Sequence, residues 1–236
     1  MTRSARDAGR WATRLAALGA EPVILPCLTS EPIADGATGR ALLDALDSAA
    51  WLVVTSVKGC EAAAALLGDV TLPAGVRVAA VGPVTAAAAT AHLGRIDLVP
   101  RAGTASGLAR TLLRLLRREG TMETAQVVVL AAEGGRQDVV TLLQAAGVQV
   151  TRILVYRTIP ATATAAKRDL AAEGIDFVLL ASPSAVTGLL GRAVLPQSVR
   201  VITIGPTTSA AAIAAGLAIT AEAARPTLDG ILEAIQ

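Results

Sequence analysis

The chain has 236 residues and a net charge of +2, which is enough for one large domain or two small ones. Hydrophobic residues make up 53% and charged residues 17%, a composition that excludes a disordered protein. Aromatic residues are only 2%, so the stacking platforms that bind single-stranded nucleic acid are not expected, and we predict no nucleic-acid partner.

Short apolar runs alternate along the chain with Ala- and Leu-rich stretches. Runs of this kind are typical of strands buried on both faces of a parallel sheet. The predicted strands are Pro22–Leu28, Trp51–Thr55, Arg77–Val81, Ile96–Val99, Gln126–Leu130, Val148–Tyr156, Phe177–Ala181, Val201–Ile204 and Leu217–Thr220. The predicted helices are 6–18, 38–48, 57–67, 84–93, 105–118, 136–146, 162–173, 184–191, 207–215 and 227–235. This alternation predicts an α/β fold.

An internal repeat is the strongest sign of organisation. Ser56 aligns with Ser182 at an offset of 126 residues, and Gly82-Pro83 aligns with Gly205-Pro206 at an offset of 123. A third match, at an offset of 128, places residues 17–22 on 145–150. The repeat predicts two similar α/β domains. One strand of the first copy would precede Thr2. Either the chain begins one strand late or it tolerates a missing strand, and a false start codon is the preferred interpretation.

The segments 22–33 and 150–160 are extended and punctuated by proline. If the chain leaves one domain through the first segment and returns through the second, the two pair as a two-stranded tether. The first domain is then discontinuous, residues 1–30 plus 161–236, and the second is 34–149.

Four similar turns each follow a predicted strand and open a helix, at 55–59, 82–85, 181–184 and 205–208. Ligands of parallel α/β sheets bind at this edge, and the N–H groups at a helix N-terminus favour anions. If the turns of the two domains face each other, they form a cleft with several anion sites. The alternative is that Ser and Thr are ordinary N-caps. No dinucleotide fingerprint or P-loop is present.

Tyr156 is the only tyrosine and ends the returning tether segment, where both domains could reach it. A phenol can donate a proton to a leaving hydroxyl at neutral pH; the alternative is a ring that only packs. Lys58 is the most suggestive cation, because it lies just inside a predicted helix at the ligand edge. The two cysteines form no ligand-spaced cluster, so no metal site is expected. The uncharged stretch 201–221 contains a Gly-Pro turn, so no membrane span is predicted.

The ordered motifs resemble those of the uroporphyrinogen-III synthase family. They are TSxxG at 55–59, VGPVT at 81–85, VYRT at 155–158, SPSAV at 182–186 and IGPTT at 204–208. The resemblance runs nearly end to end. It implies two similar flavodoxin-like parallel-sheet domains joined by a two-stranded tether, in a cytoplasmic monomer.

The resemblance also implies a lyase without cofactor. The family's substrate is hydroxymethylbilane, a linear tetrapyrrole with many carboxylates, which loses water and is cyclised to uroporphyrinogen III with ring D inverted. Tyr156 would then assist departure of the hydroxyl group. The implied substrate-binding residues are Ser56, Lys58, Gly82, Thr85, Ser182, Ser184, Gly205, Thr207 and Thr208.

Two departures from the family pattern are visible. The proline of the family's usual TRP start is replaced by Ser4, and Ala131-Ala132 stand where family members often carry an arginine. Two other functions therefore stay open: a non-enzymatic bilobal anion-binding protein, and a truncated, inactive homologue of the cyclase.

Overall fold

The structure is a computed structural model that describes residues 5–161 and 166–235. The chain divides into two compact units. One, Ser30–Thr158, is here called the continuous unit; the other, Met1–Thr29 with Ile159–Gln236, is the split unit.

The helices and strands alternate as expected for an α/β protein. The helices are α1 Ala5–Ala16, α2 Gly36–Asp47, α3 Val57–Leu67, α4 Pro83–Leu93, α5 Ala105–Glu119, α6 Asp138–Ala145, α7 Pro183–Arg192, α8 Pro206–Ala214 and α9 Leu228–Ile235. The strands are β1 Leu28–Pro32, β2 Trp51–Val54, β3 Arg77–Ala80, β4 Gln126–Ala132, β5 Gln149–Pro160, β6 Arg168–Asp169, β7 Phe177–Leu180, β8 Ala193–Val194, β9 Arg200–Thr203 and β10 Ala221–Glu222.

The continuous unit is built on a five-stranded sheet with the order β1-β5-β4-β2-β3. β2 pairs in parallel with β3 and β4, so that Trp51 lies opposite Arg77 on one side and Val127 on the other. Side chains alternate across a strand. Leu52 and Val54 therefore enter a core with α2, α3 and α4, whereas Trp51 and Val53 enter a core with α5 and α6.

The split unit repeats this plan on a smaller described sheet, with the parallel order β10-β9-β7. Val178 and Leu180 of β7 pack into a core with α7 and α8, and Leu179 packs on the opposite face with α1 and α9. Strands buried on both faces explain their continuous apolar runs. The expected α/β class, with two similar parallel-sheet arrangements, is confirmed.

The chain passes between the units in β1 and β5, which are neighbours in one sheet. The N–H of Ile33 donates to the carbonyl of Val155 at 2.9 Å, and the N–H of Ala161 donates to the carbonyl of Cys27 at 2.9 Å. Residue numbers fall from 33 to 27 on one segment as they rise from 155 to 161 on the other, so the two segments are antiparallel.

The structure corrects the predicted helix 162–173. Within its described part, residues 168–169 form β6, which pairs in parallel with β8, and a turn follows. The Asp169 carboxylate accepts the N–H groups of Ala171 and Ala172 at 3.0 and 3.2 Å, a local bond that competes with helix formation. Residues 162–165 lie outside the described residues, as does the predicted start at Met1–Ser4.

Three predicted strands are displaced or shortened. The strand expected over 22–28 begins only at Leu28, because Pro22 and Pro26 have no N–H for a ladder. Leu98 forms a single bridge with Ala79, since the carboxylate of Asp97 takes the N–H of Val78 at 2.7 Å. The strand expected over 217–220 lies instead at Ala221–Glu222, because the Thr220 hydroxyl takes the N–H of Val201 at 3.1 Å.

Candidate functional site

The first candidate turn joins β2 to α3 in the continuous unit. Ser56 is extended (φ −154°, ψ 155°), and its hydroxyl accepts the N–H of Gly59 at 3.0 Å. This is an N-cap, which satisfies one of the N–H groups that have no partner inside the helix. The turn therefore fixes the Ser56 oxygen at the carboxyl edge of the sheet.

Tyr156 reaches this turn because β5 changes register. Leu154 lies opposite Ala131, but Tyr156 lies opposite the next residue, Ala132, so one residue of β5 is extra. An extra residue interrupts side-chain alternation and re-aims the side chain that follows it. Val155 and Tyr156 accordingly pack against the same core, the one that contains α3.

The phenolic oxygen of Tyr156 lies 3.0 Å from the hydroxyl oxygen of Ser56. Gly59 leaves room for this contact, since a Cβ there would lie 3.2 Å from Ser56 Oγ and 4.0 Å from Tyr156 Cε1. Ser56 already accepts the Gly59 N–H. It can still donate its own proton to the Tyr156 oxygen, which leaves the phenol proton available to a ligand.

Lys58 lies one residue into α3 and is exposed. Its ammonium pairs with the Glu61 carboxylate at 2.6 Å, one helical turn along. Exposed pairs of this kind contribute little to stability and break readily. The predicted cation therefore lies at the carboxyl edge of the sheet, where Glu61, which the sequence analysis did not consider, partly neutralises its charge.

The second turn of the continuous unit begins α4. Gly82 is its N-cap, without a side-chain capping bond, and Pro83 follows at the first helical position. The N–H groups that follow have no carbonyl partner within the helix. Thr85 is only 6% exposed, so its hydroxyl is not open to solvent.

In the split unit, Ser182 caps α7 as Ser56 caps α3. Its hydroxyl accepts the N–H of Ala185 at 3.2 Å and lies 3.3 Å from the hydroxyl of Ser184. The side chain that contacts this cap is thus a serine, whereas the side chain that contacts the Ser56 cap is Tyr156.

The last turn begins α8 at Gly205, with Thr207 exposed and Thr208 3% exposed. Beneath it, the hydroxyls of Thr203 and Ser209 lie 2.6 Å apart, and Ser209 also donates to the carboxylate of Glu222. This network ties the first turn of α8 to β9 and β10. The sequence reasoning missed it, because Ser209 and Glu222 are 13 residues apart and only the fold brings them together.

The described residues contain no group of three or more His, Cys, Asp or Glu side chains arranged to hold a metal ion. Cys27 and Cys60 are both buried with reduced thiols. Burial raises the pKa of each thiol to about 11, so neither is a nucleophile at neutral pH. In the same part of the chain, no helix is long and apolar enough to cross a bilayer.

A family model described as uroporphyrinogen-III synthase HemD matches residues 9–233. The chain belongs to the uroporphyrinogen-III synthase family. The porphyrin biosynthesis protein HemD of Ruminiclostridium josui is 25% identical over 221 residues, which are 90% of this chain and 43% of that protein. This member of the uroporphyrinogen-III synthase family thus spans less than half the length of that relative.

Solved structures of the same family also resemble the chain. A mutant uroporphyrinogen III synthase from Thermus thermophilus has a TM-score of 0.47 at 17% identity, with 97% of this chain and 93% of that chain covered. The uroporphyrinogen-III synthetase of Helicobacter pylori has a TM-score of 0.46 at 16% identity, with 89% of each chain covered.

Proposed function

We propose that the chain is a uroporphyrinogen-III synthase, a cyclising lyase that converts hydroxymethylbilane to uroporphyrinogen III with loss of water. Membership of the family supports this activity. The observation that carries it to a particular group is the 3.0 Å contact between Tyr156 and Ser56. It holds a proton donor in a defined direction at the carboxyl edge of a parallel sheet, where ligands of such sheets bind.

In this mechanism Tyr156 donates its proton to the hydroxymethyl oxygen as the carbon–oxygen bond breaks. Water leaves, an azafulvene cation forms, and the Ser56 hydroxyl stabilises the phenolate by a hydrogen bond. Ring D attacks the cationic carbon through its substituted position to give a spiro intermediate. Fragmentation and reclosure reverse ring D, and the proton lost from the final ring restores the phenol.

The turns supply positions for the substrate's carboxylates. Backbone N–H groups and the positive ends of helix dipoles bind anions without a charged side chain. We assign Lys58, Gly82 and Thr85 to this role in the continuous unit. In the split unit we assign it to Ser182, Ser184, Gly205, Thr207 and Thr208. Because Thr85 is buried, its contribution is through its backbone N–H. Thr208 is also buried, and its N–H already donates to the carbonyl of Gly205 at 3.0 Å, so its contribution is to order the turn.

The isomer composition of the product tests this function. Purified protein is incubated with hydroxymethylbilane, the product is oxidised, and the type I and type III isomers are separated. The substrate cyclises without an enzyme to the type I isomer, so protein-dependent type III product is expected. Type I product alone at high protein concentration would overturn the proposal, and substrate binding without turnover would favour an anion-binding protein.

A further inference from the structure

The continuous unit contains a groove between the outer face of α5 and residues 99–102, here called the α5 groove. Its volume is about 690 Å³, within the range of pockets that hold small molecules. α5 and residues 99–102 approach most closely at Gly107, where a Cβ would lie 2.8 Å from the Cβ of Ala102. None of the groove's lining residues belongs to the turns assigned above.

Four arginines line this groove: Arg101, Arg110, Arg114 and Arg117. The last three follow the spacing i, i+4 and i+7, so they form one row about 10 Å long on the helix surface. No acidic side chain is among the lining residues. The groove is therefore a concentrated positive surface on an almost neutral protein.

Within the described part of the chain, these charges have no internal counter-ion. Among residues 5–161 and 166–235, no carboxylate lies within 4.0 Å of any of the four guanidinium groups. Arg114 donates instead to the Thr111 hydroxyl at 3.2 Å. Arg77, by contrast, is held by Glu119 through two bonds of 2.7 and 2.8 Å. The same unit thus neutralises an arginine outside the groove and leaves those inside it available to a ligand.

The floor of the groove is apolar. Val99 and Pro100 lie on one side and Leu113 on the other, and Val99 is 40% exposed. A simple inorganic anion would gain nothing from such a floor. A molecule with an apolar body and several carboxylates at its edge would bury its apolar body against this floor and pair its carboxylates with the arginines.

We propose that the α5 groove binds an amphiphilic polycarboxylate of small-molecule size. Tetrapyrroles with acetate and propionate side chains have this chemistry, and the choice of a tetrapyrrole as the ligand rests on the proposed function. The groove is then a second tetrapyrrole site of the continuous unit, separate from the Ser56–Tyr156 turn. Its role is to capture the polyanion rather than to transform it.

Uroporphyrin, a stable fluorescent octacarboxylate, is the probe. Its binding to the full chain is measured by fluorescence anisotropy for the parent protein and for the double variant R114Q/R117Q. The matched control is R40Q/R118Q, which changes the net charge equally and also removes one arginine from the last turn of α5. Because all four side chains are exposed, the variants should keep their fold, which circular dichroism checks.

We expect R114Q/R117Q to weaken uroporphyrin binding by about tenfold or more, because two charge-assisted contacts to carboxylates are lost. The control should weaken it less than about twofold. Citrate, a tricarboxylate without an apolar body, should compete poorly. Equal weakening by both variants, or displacement of uroporphyrin by citrate at similar concentration, would overturn the groove as the site.

The isomer assay separates this proposal from the proposed function. If type III product forms but R114Q/R117Q binds uroporphyrin as tightly as the parent protein does, the groove proposal fails and the proposed function stands. If the groove variant loses uroporphyrin binding while no type III product forms with the parent protein, the groove stands and the function fails. Where both hold, R114Q/R117Q should raise KM with little change in kcat.

Discussion

The continuous and split units make many of the same hydrogen bonds at matching positions. The N–H of Val81 donates to Val54 at 3.1 Å, and that of Ile204 donates to Leu180 at 2.9 Å. A side chain takes the N–H of Val78 in one unit and of Val201 in the other. Ser56 and Ser182 both cap their helices. Contacts that recur in this way belong to the shared fold, so the likeness of the turns alone does not identify a ligand site.

Function is better sought where the two units differ. Beside the Ser56 cap lies Tyr156, whereas beside the Ser182 cap lies Ser184. A close backbone approach also distinguishes α7 from α3, because Gly188 occupies the position equivalent to Ala62. The two units thus share a framework, but the phenol contacts the serine cap of the continuous unit and a second serine contacts that of the split unit.

Replacing Tyr156 with Phe should have the largest effect on activity. The ring and its packing stay, but the proton donor is lost, so we expect kcat to fall by about 10²–10⁴-fold, the range for loss of a general acid. The rate of type III formation measures this, with thermal unfolding as the check on folding. Turnover equal to that of the parent would remove Tyr156 from the mechanism and, with it, the functional asymmetry between the units.

Replacing Gly188 with Ala should have the largest effect on stability. A Cβ at this position would lie 1.8 Å from the carbonyl oxygen of Cys27, so the backbone must move, at a cost of about 2–3 kcal/mol. Gly191 in the same helix is the control, since its nearest contact is 3.9 Å away, and Ala there should be neutral or stabilising. Urea unfolding compares the two; equal midpoints would contradict the close approach.

Replacing Ser56 with Ala should lower both stability and activity moderately. Loss of the N-cap costs about 1 kcal/mol, and loss of the hydrogen bond to Tyr156 should slow type III formation by about tenfold. Thr104→Ala is the control, because the Thr104 hydroxyl caps α5 through the Gly107 N–H at 3.1 Å and has no tyrosine beside it. If both variants keep full activity, the Ser56–Tyr156 contact has no catalytic role.

The smallest effect concerns the two thiols, one in each unit. Burial raises the pKa of Cys27 and of Cys60 to about 11. The unfolded chain therefore loses these protons first as pH rises. The contribution to stability is full below about pH 9, the thiol's ordinary pKa, and falls toward pH 11, by about 1 kcal/mol per thiol near pH 10. Replacing each cysteine with Ala should flatten this slope equally. Rapid alkylation of either thiol at pH 8 without unfolding would contradict the burial.

The sequence predicted the parts of the fold that local patterns determine. The helix over 57–67 lies where it was expected, and α5 was missed by one residue at its end, because a Ser or Thr cap and a Gly stop define each. The strand over 96–99 and the helix over 162–173 were wrong. There, Asp97 and Asp169 replace backbone partners with their carboxylates, a substitution that periodicity does not reveal.

The candidate site was predictable only as a set of turns. The sequence predicted Ser56 and Tyr156 separately as site residues, but they are 100 residues apart. Their contact depends on a register shift that cannot be predicted from the residue types in β5. Helical periodicity alone places the arginines of α5 off its apolar stripe. The segment 99–102, which turns that face into a groove, is brought there by tertiary packing alone.

The register shift in β5 determines the face of the sheet to which Tyr156 points. If β5 kept all its residues but paired with β4 without this shift, Val155 would lie opposite Ala132. Tyr156 would then point to the opposite face of the sheet, toward the side chains packed on α5 and α6. The direction of the phenol therefore depends on how β5 pairs with β4 as well as on which residue stands at position 156.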